Sequence, residues 1–109
     1  QDLLRRREAV RTVYATLAPT LDALIAPASP GPAPPWSGDR PGEPLAPRPT
    51  GDSVFNTPSS LLGAPVVTVP LTAVRGLPMG IQVVGQPSTD ARMTAIARWM
   101  GETLRPVVV

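Results

Sequence analysis

Val66-Val67-Thr68-Val69-Pro70 and Ile81-Gln82-Val83-Val84-Gly85, separated by residues 71–80, decide how this chain folds. Each run is apolar at nearly every position and is stopped by a residue that ends regular structure. The first reads as a strand closed by Pro70 and the second as a strand closed by Gly85. A parallel crossover needs a dozen or more residues, usually a helix, whereas the gap here is shorter and carries Gly76 and Pro78, so an antiparallel pair is expected. Runs without polar alternation predict burial on both faces. Two such strands also leave open edges that invite pairing with further strands.

Moving outward, the last element opens at Ser88-Thr89-Asp90, a cluster of capping residues. Met93, Ile96, Ala97, Met100 and Leu104 follow at helical spacing until Pro106. Before the hairpin, Thr57 is placed as an N-cap, with Pro58 at the first helical position and Gly63 just past the end, framing a short helix over Pro58–Leu62. At the start of the chain, Leu3, Val10, Val13, Tyr14 and Leu17 form an apolar stripe. Arg5, Arg6, Arg7, Glu8 and Arg11 fall largely outside it, so residues 2–17 predict an amphipathic helix. It ends near Pro19, since a residue preceding proline avoids helical geometry. Asp22-Ala23-Leu24-Ile25-Ala26-Pro27 predicts a brief buried strand. Residues 28–50 show no periodicity and predict a long loop, a length usually functional or disordered.

Composition narrows the chemistry. Of the 109 residues, 16 are proline and 9 glycine, and nine of the prolines fall between Pro27 and Pro49. There is no cysteine, so neither a disulfide framework nor a thiolate metal site can form. There is no histidine, which removes the commonest general base and metal ligand. The ten basic side chains are all arginine, and the net charge is +2. No apolar run approaches the roughly 20 residues that span a bilayer. Gln1 leads into a charged helix and not an apolar signal segment. A chain opening on glutamine is expected to be part of a longer or processed protein.

The segment Phe55-Asn56-Thr57-Pro58-Ser59-Ser60-Leu61-Leu62-Gly63-Ala64-Pro65-Val66-Val67-Thr68-Val69-Pro70 resembles the C-terminal region of the amidase-signature family. So do Gly76-Leu77-Pro78-Met79-Gly80-Ile81-Gln82-Val83-Val84-Gly85, Asp90 at the last helix, and the earlier Leu21–Pro27 strand. The pattern covers about residues 21–105 in the family's order. It implies an α/β fold, in which this chain is the C-terminal piece of a mixed twisted sheet flanked by helices, incomplete by itself. It also implies hydrolysis of an amide C–N bond by the full-length enzyme through a serine nucleophile, a second serine and a lysine. With no lysine here, that base lies elsewhere. Ser59-Ser60, lacking glycine-rich surroundings, read as first-turn residues and not as a nucleophile.

The resemblance places the stretch leading into the short helix near the substrate pocket, making Asp52, Ser53, Phe55 and Asn56 candidate substrate-binding residues. The rival role for the same residues is local: Asp52 and Asn56 turn the backbone while Phe55 packs in the core. In the family's tRNA-dependent amidotransferase A subunits an acidic residue usually stands at the position matching Ser53, and its absence points away from that branch, with Asp52 adjacent. Gln82, mid-strand among apolar residues, needs hydrogen-bond partners if buried and is read as structural. No catalytic residue, metal ligand or cofactor is assigned to this chain.

The expected partners are a small-molecule amide substrate in the full-length enzyme and the remainder of the amidase domain, with no nucleic acid and no membrane, in the cytoplasm. The whole of 1–109 is read as one C-terminal part carrying its Pro-rich loop at 28–50. The alternative is a non-catalytic binding module, using either the Pro32–Trp36 stretch in polyproline geometry or the Arg-rich helix face.

Overall fold

The computed structural model describes residues 1–36, 38–44 and 52–109. Its elements run α1 (Asp2–Ala15), β1 (Leu24–Pro27), α2 (Thr57–Leu62), β2 (Val66–Val74), β3 (Leu77–Val84), α3 (Asp90–Thr103) and β4 (Val107–Val108). The four strands form one sheet in the order β1-β3-β2-β4.

β2 and β3 make the expected antiparallel hairpin, with Val66 opposite Val84 and Thr68 opposite Gln82. It is longer than the sequence suggested. β2 runs through Pro70, because a register shift between Val69 and Thr72 takes up the proline; a bulge tolerates a residue that cannot donate to the ladder. The strands meet at a two-residue turn, Arg75-Gly76, both at positive φ (51° and 78°). That is the backbone twist that joins antiparallel strands most tightly.

β1 adds antiparallel to the other side of β3, with Ile25 opposite Val83. The short terminal strand β4 lies parallel to β2, pairing Thr72 with Val107. The sheet is therefore mixed, as the resemblance implied, and the fold is α/β.

One face of this sheet holds the core. Alternation along the strands puts Val67, Val69, Ile81 and Val83 on a common side, where Met93, Ala97 and Met100 of α3 pack against them. Val83 is fully buried. The other face carries Thr68, Gln82 and Val84; the turn before α2 reaches it through the Phe55 carbonyl at Gln82, and Tyr14 of α1 meets the Gly85 carbonyl just past the end of β3. Burial on both faces holds at Gln82, Val83 and Val84, but Thr68 and Pro70 are exposed. β1 is likewise not the buried strand expected: Leu24, Ile25 and Pro27 are all exposed. The radius of gyration, 17.1 Å, exceeds the about 13 Å of a compact domain of this length.

α2 begins one residue earlier than read. Asn56 stands at its N-cap without a side-chain cap bond, and the Thr57 hydroxyl instead donates back to the Ser53 carbonyl at 3.0 Å. Gly63 ends it at φ 67°, the left-handed C-cap that glycine adopts without a Cβ penalty. Residues 28–36 and 38–44 contain neither helix nor strand. Ser37 and residues 45–50 of the expected long loop lie outside the described residues.

Candidate functional site

The four candidate residues Asp52, Ser53, Phe55 and Asn56 occupy one turn immediately before α2, and each is tied into it differently. An Asp52 carboxylate oxygen accepts the Val54 N–H at 2.9 Å, an Asx turn of the kind short acidic side chains form. The Ser53 carbonyl accepts the N–H groups of Asn56 and Thr57, both at 2.9 Å. Asn56 donates through Nδ2 to the Ala28 carbonyl at 3.2 Å, bridging to the residue that follows β1. Phe55 is half-buried. Three of the four side chains are exposed, and the turn is adjoined by an open hollow of about 490 Å³ lined by residues 29–34 and Asp52.

Beneath the turn lies Gln82, 1% exposed. Its Nε2 donates to the Pro27 carbonyl at 2.9 Å and the Phe55 carbonyl at 2.7 Å. One side-chain amide thus joins the end of β1 to the turn, and both carbonyls would otherwise need water. Its Oε1 has no hydrogen-bond partner among the described residues. Sequence reasoning marked Gln82 as needing partners but did not identify them, since they lie 55 and 27 positions away.

Of the two adjacent serines, Ser59 is tied into the start of α2. Ser59 is buried and its hydroxyl donates to the Asn56 carbonyl at 2.9 Å, a helix-start bond that engages its proton. No cluster of three or more His, Cys, Asp or Glu side chains able to hold a metal occurs among the described residues. Among the described residues one ionisable group is shifted, Tyr14, whose phenol burial pushes above its ordinary value; its hydroxyl donates to the Gly85 carbonyl at 3.0 Å.

The arginine face of α1 is partly engaged within the chain. Arg7 donates through Nε to the Leu61 carbonyl at 2.8 Å, and Arg6 pairs with Asp2 at 2.9 Å on the surface. No helix is long and apolar enough to cross a membrane among the described residues.

A mixed sheet with its flanking helices places the chain in the α/β class, and comparison with known proteins gives the family. The Amidase family model matches residues 1–93. A crystal structure of an amidase superposes with a TM-score of 0.74 at 32% identity, covering 93% of this chain and 24% of that one. The chain belongs to the amidase family.

Among its relatives are the glutamyl-tRNA(Gln) amidotransferase subunits A of Symbiobacterium thermophilum, 35% identical over 85% of this chain, and of Salinispora tropica, 34% identical over 85%. The same subunit of Pseudothermotoga lettingae is 34% identical over 71% of this chain. The chain spans about a fifth of the length of these curated relatives: 19%, 18% and 16%. They come from the branch that Ser53 pointed away from.

Proposed function

We propose that this chain is the C-terminal part of an amidase-signature hydrolase whose two serines and lysine lie on polypeptide outside these 109 residues. The observation that carries the reading is the solved amidase, which this chain matches over 93% of itself but only 24% of its partner. A hydroxyl needs an adjacent base to attack an amide, and donors must meet the charge that develops on the carbonyl oxygen. A sequence with neither lysine nor histidine lacks both the base of the family's serine–lysine arrangement and the histidine of the commonest alternative.

In this reading residues 1–109 act as one unit that closes one end of the sheet, with the Pro-rich loop at 28–50 as its variable surface. Asp52, Ser53, Phe55 and Asn56 wall the pocket for the acyl part of a small-molecule amide, and Gln82 fixes the turn that carries them. Neither cofactor nor metal takes part, no nucleic acid or membrane is engaged, and the compartment is the cytoplasm.

The test is an assay of the purified chain against simple amides and esters. Turnover is expected to stay at background, and catalysis above it would sink the claim that the machinery lies elsewhere. Supplying a second polypeptide with the glycine- and serine-rich segment and the lysine is expected to restore turnover. In that assembly Asn56→Ala is expected to raise KM more than it lowers kcat.

A further inference from the structure

Ile25 and Val83 are directly opposed across β1 and β3, so their side chains share the face on which α3 lies. Their surroundings differ sharply. Val83 is 0% exposed, whereas Ile25 is 67% exposed, because α3 lies over β2 and β3 and stops short of β1. The space left between β1 and the flank of α3 is a hollow of about 480 Å³, walled by Ile25, Ile96, Trp99, Met100 and Leu104. Trp99 is itself 60% exposed. At the rim the Arg92 guanidinium pairs with the Asp22 carboxylate.

The same strand has a second unmet need. β1 pairs only with β3 among the described residues, so its outer edge presents backbone donors and acceptors ready for another strand. An open edge beside an uncovered apolar hollow is the profile of a sheet that continues.

We propose that the β1 edge and the Ile25–Trp99 hollow form the seam on which the rest of the amidase fold docks, with a strand against β1 and an apolar element filling the hollow. This rests on the reading under "Proposed function" and adds the surface that carries it. The occupant follows from lengths: the solved amidase that superposes here is matched over only 24% of its chain, so most of such a fold lies beyond these residues. A second copy of this chain fits poorly. A two-fold contact sets the same patch against itself, and two facing hollows leave both unfilled.

The test co-expresses the 109-residue chain with the part of the solved amidase that precedes the matched region, each on its own polypeptide, and measures their affinity. A one-to-one complex is expected. Ile25→Arg and Trp99→Asp should each weaken it about 30-fold or more, the loss expected at a buried anchor. Leu77→Arg, an exposed residue at the hairpin turn, should leave it unchanged. Ile25 and Trp99 are both exposed, and equal urea midpoints for the free variants confirm that neither change unfolds the chain.

A complex that forms but ignores both substitutions overturns the seam while leaving the proposed function standing. Failure to form any complex overturns both. Self-association of the 109-residue chain that Ile25→Arg abolishes assigns the surface to a second copy and overturns the seam.

Discussion

α1 and α3 have the same length, 14 residues, and both carry an apolar stripe at helical spacing, yet the chain treats them in opposite ways. α3 buries Met93, Ala97 and Met100 against the sheet. α1 buries Tyr14 alone and leaves Leu3 and Val13 in solvent. What attaches α1 is polar: Tyr14 to the Gly85 carbonyl, Gln86 Nε2 to the Tyr14 carbonyl at 2.9 Å, and Arg7 to the Leu61 carbonyl. An amphipathic pattern states that a helix needs cover; it does not state that the cover is on the same chain.

The largest effect is expected where α3 is most buried. Met93 is 1% exposed, and its side chain closes on Gly85 so tightly that a Cβ there would meet its Cγ and Sδ. Truncation with Met93→Ala is expected to cost about 3 kcal/mol in urea unfolding, within the usual range for a buried methionine. A loss below about 1 kcal/mol would mean that α3 is no better seated than α1.

Gln82→Leu should come next. It removes the donor shared by the Pro27 and Phe55 carbonyls, and stranded buried acceptors cost about 1–3 kcal/mol. Unfolding should shift by about 2 kcal/mol, and amide exchange should quicken at Asn56 and Thr57. Unchanged exchange there would show that the turn stands without Gln82.

These two sites also mark what the sequence made legible. The α3 stripe, the antiparallel hairpin and the Gly63 stop rest on local periodicity and steric rules, and they are present. The hairpin's full length was not legible, because Pro70 reads as a stop and Gly76 and Pro78 as part of the gap. Instead a register shift takes up Pro70, the turn is only Arg75-Gly76, and Pro78 sits within β3 opposite Ala73. β4 was missed, since two residues carry no period and acquire strand geometry only from pairing with β2. In the candidate site, the grouping of Asp52, Ser53, Phe55 and Asn56 is local and readable. The Gln82 bridge is long-range and required coordinates.

A smaller effect tests the polar attachment of α1. Tyr14→Phe deletes the bond to Gly85 and should cost about 1 kcal/mol near neutral pH. The pH dependence gives it a signature. Burial raises the Tyr14 phenol above its ordinary value, so between the unfolded and folded values the native state holds more protons than the unfolded one. Stability from this group is therefore complete below the ordinary tyrosine value of about 10 and falls as pH rises through it. Tyr14→Phe should flatten that alkaline decline relative to the parent chain, and an identical decline would show that Tyr14 ionises freely.

The smallest expected effect is Val13→Ala. Val13 belongs to the same stripe as Tyr14 but is 68% exposed, so truncation removes little buried area and leaves no cavity. Alanine also has the higher helix propensity, a few tenths of a kcal/mol in its favour. The two contributions oppose each other, and the unfolding free energy of the 109-residue chain should stay within about 0.5 kcal/mol of the parent. A loss of about 2 kcal/mol, the size of a buried-valine effect, would mean that α1 packs in solution against something within this chain. The contrast between the two helices would then lie in which surface each covers, and no longer in whether it is covered.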